Sequence, residues 1–158
     1  MTRTLHHFIS TTFDTTSNLF DDAASLTDDA VGGAGKLVYG SDVRVTTNAA
    51  NVVPKKGWVD VVVHGTEDGK AFKINGEIVT PQQLYNMMLK GGYQQGTRIR
   101  LNACYSGSLE NGAAYQLSKL ANAPVVAPRS WLTIHSGENL MRKGSFWVGD
   151  GLWWRTFR

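Results

Sequence analysis

Two side chains carry the chemistry that this sequence offers, His64 and Cys104. An imidazole can take a proton from a thiol, and the thiolate so formed is a strong nucleophile toward carbonyl carbon. Each residue follows an apolar run: Val59 to Val63 leads into His64-Gly65, and Ile99 to Ala103 leads into Cys104-Tyr105-Ser106-Gly107. Read as strands of one parallel sheet, both runs end at the same sheet edge, where α/β proteins bind ligands. Gly65 allows a substrate backbone to approach closely. Its amide and that of Cys104 are candidate donors to a developing oxyanion. Taken singly, a cysteine after an apolar strand reads as an inert core residue, and a histidine there as structural. The conjunction is what points to catalysis.

The elements needed to position this pair are legible around it. Trp58 to Val63 is nearly continuous in apolar residues, as in a strand buried on both faces. Ala71–Ile74 and Glu77–Val79 flank Asn75-Gly76, a strong hairpin signal. Thr80-Pro81-Gln82-Gln83 predicts a capped helix start, with Leu84, Met87 and Met88 as its apolar stripe and Gly91-Gly92 as its stop. Arg98 to Ala103 reads as a strand, Gly112 to Ala121 as a helix ended by Asn122, and Pro124 to Ala127 as a short buried strand. Val43 to Thr47 alternates and is β-branched, which also predicts a strand.

After Trp131 come short strands, Trp131–Ile134, Ser145–Val148 and Leu152–Phe157, between glycine-rich turns. The pattern predicts a three-layer α/β fold with a mostly parallel sheet and antiparallel strands added at a C-terminal edge. Residues 43–158 form the predicted domain. Residues 1–42 read as an N-terminal appendage, a linker or a helix packed on the core, with a short helix over Asn18–Val31.

Composition narrows the class. The 158 residues are 42% hydrophobic and 18% charged, with five Trp, five Tyr and six Phe, which excludes a disordered chain. One cysteine excludes an intramolecular disulfide and a multi-cysteine zinc site. No His, Cys, Asp or Glu set has metal-ligand spacing, so neither metal nor cofactor is expected. No apolar run is long enough to span a bilayer, and Met1 to Thr12 does not read as a cleavable secretion signal. The net charge of +3 combines an acidic first 34 residues with a basic remainder. The Lys and Arg are scattered, which favours a solvated basic face over a nucleic-acid surface.

The order of a strand ending His64-Gly65, an intervening helix and a strand ending Asn102-Ala103-Cys104-Tyr105-Ser106-Gly107 resembles the caspase-like (clan CD) cysteine peptidases. That group includes caspases, metacaspases and legumain- and gingipain-type enzymes. Within it, Val61 to Gly65, Arg98 to Cys104, Leu117 to Pro128 and Trp153 to Phe157 are most similar to small peptidase-type domains at the C-terminal ends of bacterial polymorphic toxins. The resemblance covers roughly residues 57–158.

It implies a cysteine endopeptidase with His64 as base and acid and Cys104 as nucleophile, acting through a thioester. The amides of Gly65 and Cys104 would form the oxyanion hole. It implies that Asn102, two residues before the cysteine, lines the substrate pocket. Arg129 and Trp131, after the last parallel strand, are further pocket candidates, although the default role of Trp131 is packing of the edge strands. Asp68 and Glu67, just past His64, are candidates for an acid that orients the imidazole. Asp60, on the strand before His64, reads as a solvated, edge-facing acid, with an approach to the site as the alternative.

As implied partners, the resemblance names a protein substrate, an immunity or inhibitor protein, and a polyanionic activator held by basic residues such as Lys143 or Arg155. The implied setting is a secreted bacterial effector, delivered within a larger protein or by a dedicated secretion machine and acting in a target cell's cytoplasm. The same residues also fit an amidohydrolase, a deamidase or an acyltransferase. The basic part alone fits a non-catalytic polyanion-binding module.

Overall fold

A computed structural model describes residues 35–143, 146–149 and 153–158. The expected Asn18–Val31 helix lies outside the described residues. The main sheet has five strands: β1 (Gly35–Val38), β2 (Trp58–Val62), β6 (Arg98–Asn102), β7 (Val125–Pro128) and β11 (Trp154–Phe157), in the order β1-β2-β6-β7-β11. The first four run parallel, and β11 closes the edge antiparallel to β7. Two small antiparallel sheets flank it. One joins β3 (His64–Gly65), β4 (Phe72–Ile74) and β5 (Glu77–Val79); the other joins β8 (Leu132–His135), β9 (Glu138–Lys143) and β10 (Phe146–Gly149). The chain is therefore mixed α/β with a mostly parallel sheet. Among the described residues, only β11 is an antiparallel addition to that sheet. The other C-terminal strands pair among themselves, and β9 was not expected.

Among the described residues the helices are α1 (Val43–Asn51), α2 (Pro81–Lys90) and α3 (Ala113–Ala121). Alternate residues of β2 divide between two apolar clusters. Val59 and Val61 join Leu84, Met88, Leu117 and Ala121 from α2 and α3. Val62 joins Val45 and Ala49 of α1 with Leu132 and Ile134 of β8. Both faces of the sheet are thus covered, which is why β2 is almost unbroken in apolar residues.

Local signals explain most boundaries. Thr80 caps α2 in a reciprocal capping box with Gln83, and Pro81 occupies the first turn. Asn122 ends α3 in the left-handed conformation at φ 48°. Asn75 and Gly76 both have positive φ, 49° and 89°, as a two-residue type I′ hairpin turn requires.

The expectation for residues 43–47 is corrected: they form the start of α1, not a strand. Asp42 supplies the reason, because its side chain accepts hydrogen bonds from the amides of Arg44 and Val45 and nucleates the first turn. Val45, Asn48, Ala49 and Val52 then recur at helical spacing and are buried. The expected domain start at residue 43 is corrected as well. Residues 35–38 form β1, paired with β2, and Tyr39 is fully buried in the core.

Candidate active site

The register of β2 and β6 builds the site. Val62 pairs with Asn102, and each paired residue of β2 lies opposite the residue forty positions later in β6. Extending that register past the strand ends puts His64 level with Cys104. Both line a cleft of about 470 Å³, together with Arg44, Gly65, Thr66, Glu67, Lys73, Tyr105 and Trp131. The candidate base and nucleophile are thus brought to one concavity at the carboxyl edge of the parallel sheet.

Backbone contacts fix the two loops against each other. A Cβ on Gly65 would lie 1.9 Å from the Cys104 carbonyl oxygen, so only glycine permits this approach. Tyr105, directly after the cysteine, has φ 59°, an uncommon conformation for a non-glycine residue. Its amide donates to the Ser130 carbonyl at 3.0 Å, and the Ser106 hydroxyl donates to the Ala103 carbonyl at 2.7 Å. Gly107 is pressed onto β7, where a Cβ would meet the Ala127 carbonyl oxygen at 2.5 Å. The chain therefore leaves β6 through a sharp, braced turn immediately after the sulfur.

The Cys104 thiol is partly buried, and its hydrogen-bond partners are both on Leu132. The Leu132 amide donates to Sγ at 3.2 Å, and Sγ donates to the Leu132 carbonyl at 3.7 Å. Burial pushes the thiol pKa above its ordinary value. The Leu132 amide and the positive charge of Arg44 oppose that rise without cancelling it.

The acid beside His64 is Asp42, whose Oδ2 lies 2.9 Å from His64 Nε2. Both side chains are partly exposed, 30% for His64 and 41% for Asp42. Partial burial works against ionisation of Asp42. Hydrogen bonds from the Val45 amide and the His64 ring outweigh it and hold the carboxyl below its usual pKa. As an ionised acceptor, Asp42 accepts a hydrogen bond from Nε2–H, which leaves Nδ1 as the ring atom with the lone pair.

Helix α1 reaches every part of this arrangement. Besides Asp42 at its cap, it places Arg44 over the Trp131 ring, 4.4 Å from the centroid. Asn48 Oδ1 accepts from the Ile134 amide, and Asn51 Nδ2 donates to the Ile134 carbonyl, each at 3.0 Å. Those two bonds anchor β8, whose first residue is the partner of the thiol.

Several expected site residues lie elsewhere. Asn102 is 2% exposed and does not line the cleft. Its amide donates to Asp60 Oδ1 at 2.9 Å, so its role is inside the sheet. Asp60 is not a solvated acid. It is fully buried, ion-paired with Arg100, which lies opposite it on the adjacent strand β6. Asp68 is exposed and turned to its own loop, accepting from the Thr66 hydroxyl at 2.6 Å and the Lys70 amide at 3.0 Å. It does not orient His64. Arg129 is exposed, and its amide donates to the Trp153 carbonyl. It does not line the cleft, whereas Trp131 and Glu67 do.

Asp42, Arg44, Thr66, Lys73, Tyr105 and Leu132 were not foreseen as site residues. For Asp42 the usable signal is an aspartate directly before a run with buried spacing at 45, 48, 49 and 52, which marks a helix cap. Arg155, expected as a basic contact for a polyanion, lies with its guanidinium 5.9 Å from the Phe157 ring. The side chain of Lys143 lies outside the described residues.

Among the described residues, no group of three His, Cys, Asp or Glu could hold a metal ion, and no helix is long and apolar enough to cross a membrane. Among curated proteins, none matches the chain. Residues 23–148, spanning α1, the parallel strands and the cleft, match the family described as a domain of unknown function (DUF8616), and the chain belongs to that family.

Proposed function

We propose that the chain is a cysteine-dependent acyl-transfer hydrolase, acting as an endopeptidase of the caspase-like kind. The single observation that carries this reading is that His64 and the chain's only cysteine line one open cleft at the ends of two adjacent parallel strands. Cys104 Sγ attacks the substrate carbonyl carbon while His64 accepts the thiol proton. Burial disfavours a standing thiolate at Cys104, so the proton leaves during attack and not before it. The carbonyl oxygen becomes an oxyanion facing the amides of Gly65 and Cys104. Collapse breaks the C–N bond, the amine leaves with the proton held by His64, and a thioester remains on Cys104. Water then attacks the thioester, His64 takes its proton and returns it to sulfur, and the acid product departs.

The acting setting proposed is a toxic or self-processing domain of a bacterial effector, with a protein substrate and an inhibitor protein as partners. The experiment incubates the purified chain and its Cys104→Ala variant with a cell extract and maps new protein N-termini. Cleavages present with the wild type and absent with the variant support the reading. Mass changes on target proteins without chain cleavage, dependent on Cys104, replace it with deamidation or group transfer. Activity retained by Cys104→Ala overturns the nucleophile assignment.

A further inference from the structure

We infer that Asp42 is a positioning residue that fixes the ring tautomer of His64, turning the His64–Cys104 pair into a three-member relay supplied from a helix cap. The inference deepens the proposed acyl-transfer reading and rests on it. The two carboxylate oxygens of Asp42 divide the work. Oδ1 accepts from the amides of Arg44 and Val45, both at 3.1 Å, and so caps α1. Oδ2 is left for His64 Nε2 at 2.9 Å. Because the cap bonds hold one oxygen, the carboxylate cannot rotate away, and the helix itself aims Oδ2 at the ring.

An acceptor on Nε2 keeps the proton there, and Nδ1 is left basic for the thiol of Cys104 across the cleft. When the ring takes that second proton, the carboxylate beside it also stabilises the imidazolium. Gly40, with φ 117°, and the burial of Tyr39 lead the chain from β1 into this cap. The acid is thereby delivered from the opposite side of β2 to the loop that follows His64, where Asp68 would have been sought.

Asparagine separates the two functions of this residue. In Asp42→Asn, the amide oxygen can still cap α1, since asparagine is as good a cap as aspartate. The amide nitrogen, however, now donates to Nε2 and drives the ring proton to Nδ1, which removes the lone pair needed for the thiol.

The experiment records nitrogen-15 side-chain spectra of histidine in the wild type and in Asp42→Asn, with His64 assigned through a His64→Gln variant among the four histidines. It is joined by steady-state kinetics on a cleaved peptide. Expected are an Nε2–H ring in the wild type, an Nδ1–H ring in Asp42→Asn, and a kcat roughly 100-fold lower with KM little changed. A merely structural role would leave the tautomer alone. The same Nε2–H ring in both proteins, or an unchanged kcat in the folded variant, overturns the inference. If the wild type cleaves no peptide, the endopeptidase reading fails. The tautomer pair then still decides whether Asp42 positions His64.

Discussion

The amide of Leu132 lies 3.2 Å from Cys104 Sγ, and the Leu132 carbonyl lies 3.7 Å from the same sulfur. The first contact favours the thiolate and the second the thiol, and burial adds to the second. Alkylation of Cys104 by iodoacetamide is therefore expected to rise with pH at a midpoint above the ordinary thiol value of about 8.5. Arg44→Ala removes the nearby positive charge and shifts the midpoint further upward. With one cysteine in the chain, the labelling reports a single site. A midpoint below that of a free thiol would contradict the geometry.

Gly65→Ala places a methyl group 1.9 Å from the Cys104 carbonyl oxygen, a backbone atom that cannot swing aside. One of the two loops must move, at a cost of about 1–3 kcal/mol in folding stability. Because the displaced loop carries the nucleophile, activity is expected to fall at least tenfold even where the fold survives, on the order of 1.4 kcal/mol in barrier height. Thermal denaturation and turnover, measured on one preparation, separate the two effects.

Asp60 is fully buried, with Arg100 Nη2 at 2.8 Å and Asn102 Nδ2 at 2.9 Å. Asp60→Ala leaves a guanidinium without its carboxylate inside the sheet and is expected to cost about 3–5 kcal/mol. A urea unfolding curve checks this. A loss well under 1 kcal/mol would mean that Arg100 finds solvent once Asp60 is gone.

The carboxyl of Asp42 titrates below its unfolded value of about 3.9. Its contribution to stability is therefore present above that pH and is lost as pH falls through the lower folded value. The stability gap between the wild type and Asp42→Ala should shrink below about pH 4. Asp42→Asn should retain more stability than Asp42→Ala at neutral pH, because its side-chain oxygen still caps α1. Melting temperatures of the three proteins across pH 3–7 test both statements. A gap that does not change with pH would sever the carboxylate from the effect.

Much of the scaffold was legible because its signals are local. The capping box at Thr80, the Asn75-Gly76 turn and the αL stop at Asn122 act within a few residues, and each element lies where they put it. The runs leading to His64 and Cys104 are apolar because both faces of the central strands are covered, and that pattern survives in one dimension. Val43 to Thr47 was misread for the opposite reason. β-Branched residues favour strands, but the cap at Asp42 and packing against β8 override that weak preference. Asp60 misled because a lone acid on a strand shows nothing of its partner forty residues away.

By itself, the sequence determined that one cysteine and one histidine end two apolar strands, and that glycine and turn residues follow each. Only the tertiary structure decided what surrounds them. Sheet register set His64 level with Cys104. The fold of α1 over the sheet brought Asp42 to the ring and Arg44 to Trp131, and bound β8 so that Leu132 meets the sulfur. Those contacts join residues between 22 and 87 positions apart. Local preference fixes backbone conformation over a turn or two. Bonds across such distances depend on how whole elements pack, which no short window of residues encodes.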